Sequence, residues 1–204
     1  MRLKPYLGLV LGVLFVFNAS HAVAQTAPAA TEARLPLAIG AGFSGYNPDW
    51  GQGHLLGGTL WIDYTLSHVP SLLRGIGIEA EARDLNYGRS STESPNLRED
   101  LAGGGAIYSW PHYRNFRPYG KFFAGYGNRD AEYYNGIRFH DSRTVTSVGG
   151  GVEYRTFRSV WVRADYEYQF WPDMVFKNAK PIAPIHPAGF TIGALYHFNS
   201  PRYR

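Results

Sequence analysis

The chain has 204 residues, no cysteine, a formal charge of +4 and a sequence pI near 9.3. The missing cysteines exclude disulfide staples and thiolate metal sites. The weak positive balance, with no basic cluster, argues against a nucleic-acid partner.

The N-terminus reads as a secretory signal peptide. Arg2 and Lys4 form a basic start, Leu7–Phe17 an apolar run, and Ala22-Val23-Ala24 a small-residue cleavage site, with the cut placed after Ala24. Removing residues 1–24 takes away two of the 20 basic residues and none of the 16 acidic ones, so the mature chain carries about +2. No segment approaches the ~20 apolar residues of a spanning helix, and none is expected. Gln25–Arg34, rich in Ala, Thr and Pro, reads as a disordered leader, residues 35–198 as one domain, and Asn199–Arg204 as a short tail.

From Leu35 onward the pattern has period two, the signature of β-strands. Leu35–Tyr46 sets Leu37, Ile39, Ala41 and Phe43 against small residues, and Asn47–Gly53 is a turn. His54–Thr65 opposes Leu56, Leu60, Ile62 and Tyr64 to Thr59, Trp61 and Asp63. After the Leu66–Arg74 connection, Gly75–Tyr87 places Ile76, Ile78, Ala80 and Ala82 opposite Glu79, Glu81 and Arg83. Gly88–Arg98 reads as a polar loop, and Glu99–Trp110 as a strand whose register Gly103-Gly104-Gly105 leaves open.

Pro111–Arg117 is a turn, and Pro118–Gly127 a strand with Phe122, Ala124 and Tyr126 opposite Lys121 and Phe123. Asn128–Asp141 reads as a charged, tyrosine-bearing loop. Thr144–Arg155 opposes Val148, Val152 and Tyr154 to Glu153 and Arg155, and Thr156–Ser159 is a tight turn. Val160–Trp171 alternates most cleanly: Val162, Ala164, Tyr166, Tyr168 and Phe170 against Arg163, Asp165, Glu167 and Gln169. The prolines of Pro172–Pro187 make it a loop, and Ala188–Phe198 is the last strand. The expected fold is therefore all-β, an eight-stranded antiparallel up-and-down barrel.

Two solvents fit such a barrel. In water the charged rows face out; in an outer membrane the apolar rows face lipid and the charged rows a narrow lumen. Mixed-sign charges in mid-strand, glycines on the same row, aromatics near strand ends and an aromatic final strand favour the transmembrane barrel. The end aromatics are Tyr46, Trp50, Tyr87, Trp110, Tyr119, Tyr126, Tyr154, Trp171, Tyr196 and Phe198, read as two interfacial girdles. The short turns Pro111–Arg117 and Thr156–Ser159 place both termini on the periplasmic side.

Several stretches carry a family likeness: Arg117-Pro118-Tyr119 leading to Gly125-Tyr126-Gly127, Gly149-Gly150-Gly151-Val152-Glu153-Tyr154-Arg155, Glu167-Tyr168, and the aromatic C-terminal strand. On these the chain resembles the small outer-membrane β-barrel proteins of the OmpA-type transmembrane-domain and OmpX group. The residues after Phe198 depart from that group's pattern of ending on the aromatic. The resemblance implies a bacterial outer-membrane barrel and says more of fold than of function.

Three constellations could carry chemistry. Glu79, Glu81, Arg83, Lys121, Glu153, Arg155, Arg163, Asp165 and Glu167 are expected to form a lumen charge network, as structural packing rather than a gated path, because an eight-stranded lumen is normally filled. Arg129, Tyr133, Tyr134 and Arg138 are expected to make external contacts, with lipopolysaccharide or with an extracellular ligand. His140-Asp141-Ser142 lies at the expected rim, and Glu167, His197 and Ser109 face the same side in principle. Sequence neighbours rarely build a nucleophile, base and orienting acid, and no catalysis is expected. Neither glycine triplet is followed by Lys-Ser/Thr, which argues against a phosphate loop. No cofactor and no metal are expected, the histidines having no ligand spacing. The resulting expectation is a monomeric, non-enzymatic barrel contacting outer-membrane lipid and lipopolysaccharide, with structural or surface-interaction duties. The alternatives are a lipid A-modifying barrel enzyme and a soluble secreted barrel binding an apolar ligand.

Overall fold

The computed structural model describes residues 36–49, 53–66, 69–70, 73–87, 96–110, 114–132, 138–172 and 184–198. The proposed signal peptide, leader and C-terminal tail lie outside these residues, as do Trp50, Tyr133 and Tyr134.

Eight strands follow in order: β1 (Leu37–Asn47), β2 (Leu55–Thr65), β3 (Ile76–Asn86), β4 (Asn96–Ser109), β5 (Phe116–Glu132), β6 (Arg138–Arg155), β7 (Val160–Phe170) and β8 (Ala188–Phe198). Each pairs antiparallel with the next, and β1 closes on β8 from Leu37↔Phe198 to Asn47↔Ala188. Closure gives every strand two neighbours and removes the free edge that an open sheet would present.

Apolar rows point outward. Phe43 is 61 % exposed, Leu60 62 %, Ile192 63 % and Phe190 65 %, whereas Glu79, Arg83, Lys121, Arg163 and Glu167 are buried. An apolar surface continued from strand to strand is far larger than the isolated patches water tolerates. The faces are those of a barrel in lipid, and the soluble alternative, which requires charges outside, is overturned by this orientation.

The open register of the fourth strand is settled by its neighbours. Glu81 lies opposite Gly103 and Glu79 opposite Gly105, with Leu97, Glu99, Leu101 and Ile107 buried inward. A side chain at Gly105 would strike the carbonyl of Phe122, so that row has no room for one.

Several strand boundaries differ from the sequence expectation. The segment Asn128–Asp141, read as a loop, is largely strand, because β5 runs to Glu132 and β6 begins at Arg138, with Glu132 opposite Arg138. β4 likewise begins two residues before Arg98. These extensions keep the period of two, but their outward row is polar rather than apolar, which made them read as loop.

The aromatic girdle also needs correction. Tyr46, Tyr119 and Trp171 are buried in the lumen, and Tyr87 packs against the inner cluster of Tyr46, Leu55, Leu85, Leu97 and Ala131. Tyr46 and Tyr119 lie on the inward rows of β1 and β5, and Tyr87 and Trp171 continue those of β3 and β7 by one residue. Outward aromatics do pair along the strand ends, among them Phe116–Tyr154 and Tyr196–Phe198, with ring centroids 4.9 and 5.0 Å apart.

A charge on the outward row near mid-barrel should be costly. Leu60→Arg is expected to destabilise the folded barrel by about 2–4 kcal/mol, read from urea unfolding in lipid vesicles, whereas the same change at the polar outward position Asn86 should cost about 0–1 kcal/mol.

Candidate functional site

The lumen is the first candidate. β7 and the residue that follows it show its layering: Trp161, then Arg163, Asp165, Glu167 and Gln169, then Trp171, all buried. Trp161 belongs to an apolar cluster with Ala38, Trp61 and Leu195, and Trp171 to another with Leu101, Phe123, Val145 and Ile185. The ionic groups lie between these apolar layers.

Three cations hold the ionic layer together. Arg83 on β3 bonds Glu81 on its own strand and reaches both oxygens of Glu167 on β7 at 3.2 Å. Lys121 on β5 donates to Glu81 at 2.8 Å and lies 3.0 Å from Glu167, 3.4 Å from Glu79 and 3.4 Å from Asp165. Arg163 on β7 donates to Asp63 at 3.0 Å, to Glu79 at 2.5 Å and to the Tyr119 hydroxyl at 2.7 Å; that hydroxyl donates in turn to Asp165 at 2.8 Å. The guanidinium carbons also stack on rings, Arg83 at 4.2 Å from the Tyr46 centroid and Arg163 at 4.3 Å from that of Tyr119. Removing charges from water is tolerable only with such pairing.

Space for these long side chains comes from glycine. Across the strand pairs, Glu79 faces Gly105, Glu81 faces Gly103, Asp165 faces Gly151, Glu167 faces Gly149 and Arg163 faces Gly193. An eight-stranded interior is just wide enough for side chains, and a glycine beside a long group leaves it room.

Of the nine residues expected in the network, Glu79, Glu81, Arg83, Lys121, Arg163, Asp165 and Glu167 come together. Glu153 is buried, but it pairs with Arg117. Arg155 is a correction: it is partly buried near the β6–β7 turn and donates to Asn115 at 3.4 Å, because its position on β6 lies one inward step beyond Glu153. Asp63 joins the network unexpectedly, although its parity puts it on the inner row of β2. Arg117, the partner of Glu153, is likewise unexpected, because the composition around it reads as a turn.

Arg129 is a second correction. It is 2 % exposed on the inward row of β5, donates to Glu99 at 2.9 and 2.5 Å, and lies 4.3 Å above the Trp171 ring. It cannot meet an external ligand. Arg138 does face outward, 2.9 Å from Glu132.

The outer face of β3–β6 is the second candidate. Registered neighbours form rows across the four strands. Ala82, Ala102, Tyr126 and Thr144 form the last row of the apolar wall. One step further lie Asp84, Asp100, Asn128 and Ser142, then Asn86, Arg98, Asp130 and His140. Arg98 bridges Asp84 at 2.9 Å and Asp100 at 3.1 Å. The His140 Nδ1 lies 2.5 Å from Asp130, and its Nε2 lies 3.4 Å from the Ser142 hydroxyl, which donates to the Asn128 carbonyl oxygen at 2.5 Å. Asp141 points to the other face and binds Arg143 at 3.1 Å. Glu167 is locked in the lumen network, and His197 lies 3.4 Å from Arg117. Ser109 sits at the opposite end of β4, across from Tyr119. Among the described residues, no group of three or more His, Asp or Glu side chains is arranged to hold a metal ion.

The comparisons agree with this geometry. Residues 9–198 match the family model of the outer membrane protein beta-barrel domain, and the chain belongs to that family. It is similar to Neisserial surface protein A, with 13 % identity, a TM-score of 0.58, and coverage of 79 % of this chain and 96 % of that one. It is similar also to OprG from Pseudomonas aeruginosa (14 %, 0.54, 80 % and 96 %) and to Ail, the attachment invasion locus protein of Yersinia pestis (18 %, 0.50, 78 % and 95 %). At these identities the likeness is one of fold. No curated protein matches the chain.

The central network makes a stability prediction. Arg163→Met takes from Asp63 its cation and leaves Glu79 and Asp165 with Lys121 alone, and should cost about 3–5 kcal/mol in unfolding free energy. Arg155→Met, outside the network, should stay within about 0.5 kcal/mol, measured by the same denaturant titration.

Proposed function

We propose that this protein is a monomeric bacterial outer-membrane barrel with structural or surface-interaction duties, sealed along its axis and without chemistry in its lumen. The observation that carries this reading is the ionic layer. Arg83, Lys121 and Arg163 reach from β3, β5 and β7 to carboxylates on β2, β3 and β7, with apolar clusters on either side. Such a filled interior supports a wall rather than a channel.

On this reading the signal peptide is cleaved near Ala24 and both termini are periplasmic. The extended β3–β6 face then stands on the external side. Its polar rows meet the headgroups of outer-membrane lipid and lipopolysaccharide, Arg138 is the outward contact, and an extracellular ligand would bind at this same end.

Folded protein in planar bilayers should give no reproducible unitary conductance, while showing heat-modifiable migration on unboiled gels and a requirement for detergent in solution. Regular single-channel steps at neutral pH would sink the sealed-lumen reading. Monodisperse behaviour without detergent would sink the membrane one.

A further inference from the structure

We propose that Ser142, His140 and Asp130 form a serine esterase site on the outer wall of the barrel, acting on the acyl ester of a membrane lipid. The proposal goes beyond the sealed-barrel reading and rests on it in one respect: the apolar wall must face lipid.

The β5–β6 register builds the site. It sets Asp130 opposite His140 and Asn128 opposite Ser142, all on the outward face. Asp141, the sequence neighbour of His140 and Ser142, is not the acid, because it faces the other way and binds Arg143. The acid comes instead from the neighbouring strand, as expected of a set assembled by geometry rather than by adjacency. Asp130 holds Nδ1 of His140 at 2.5 Å, which orients the ring and leaves Nε2 directed at Ser142. The 3.4 Å separation of Nε2 and Oγ is of the looser kind common before substrate binds. The Asn128 amide, whose oxygen now accepts from the Ser142 hydroxyl, carries its NH2 beside the nucleophile and is the side-chain donor at hand for an oxyanion.

Surroundings on either side match an ester with one apolar and one polar end. Towards mid-barrel lie Tyr126, 61 % exposed, and Phe122, 52 % exposed, a surface for an acyl chain. In the other direction His140 and Asp130 border an open pocket of about 410 Å³ that is also lined by Asn86, Asn96, Arg98 and Arg138, a place for a polar headgroup. Ser142 stands at the join of the two surfaces.

The chemistry balances with water as the only co-reactant. His140 Nε2 takes the Ser142 proton as Oγ bonds to the acyl carbon. The carbon–oxygen bond to the alcohol breaks, and His140 returns the proton to that oxygen. Water then gives a proton to His140 and attacks the acyl-serine. The bond to Oγ breaks, Ser142 regains its proton, and fatty acid leaves. Ser142 and His140 are the catalytic residues, and Asp130 is the positioning residue.

The test uses the whole folded protein in phosphatidylethanolamine–phosphatidylglycerol vesicles, with and without lipopolysaccharide, and follows fatty-acid release and labelling by a fluorophosphonate probe. Labelling at Ser142 and release are expected, and Ser142→Ala should abolish the label and lower release by at least ~10³-fold. Asp130→Asn should lower kcat by ~10²–10⁴-fold with KM unchanged, a split that lost binding would not produce. Ser109→Ala, at the far end of β4, should match the parent. Release without lipopolysaccharide assigns a phospholipid substrate, and release only with it assigns a glycolipid. Gel migration of each unboiled sample separates failure to insert, which would sink the barrel reading and this proposal with it, from inserted but inert protein. A fully inserted parent that neither labels nor releases fatty acid, or a Ser142→Ala variant as active as the parent, overturns the site alone.

Discussion

A chain in hydrocarbon must satisfy every backbone N–H and C=O internally, and closure of β1 on β8 meets that demand in this protein. The rest follows from closure. Eight strands leave an interior only wide enough for side chains, and alternation sends every second residue into it. The inward row is therefore buried whatever its chemistry, and the charges it carries must find partners there. Arg83, Lys121 and Arg163 do so by crossing the lumen rather than by pairing only along their own strands.

The glycines are the counterpart of the charges. Gly103, Gly105, Gly149 and Gly151 stand across from Glu81, Glu79, Glu167 and Asp165. Each of these four carboxylates has a vacant neighbour, which gives the lumen room to pack without widening the barrel. The same narrowness stacks Arg129 on Trp171 and Arg83 on Tyr46. A filled interior leaves the outer surface as the place where the protein can meet other molecules. β5 and β6, the longest strands at 17 and 18 residues, extend that surface with polar rows.

Much of the architecture was legible because period two survives any context. Strand order, the number of strands and the sorting of Phe43, Leu60, Ile192 and Tyr166 from Glu79, Arg163 and Asp165 all came from alternation. Composition and parity conflict at a few positions, and there parity holds. Tyr46, Tyr119 and Trp171 are aromatic and near strand ends, the marks of an interfacial ring, yet their parity points inward and they are buried. Asn128–Glu132 has the polar composition of a loop, but Arg129 and Ala131 continue the inner row of β5 and both are buried.

The amino-acid sequence by itself determined the class of barrel and the two faces of each strand, since both depend on spacing along one chain. The tertiary structure decided who meets whom. Asp63 reaches Arg163 across the lumen, Glu153 turns to Arg117 rather than to the central cluster, and Asp130 rather than Asp141 stands beside His140. These pairings depend on register between strands and on the diameter of the closed barrel. Both are set when all eight strands pair at once, and neither is written in the spacing of any single strand.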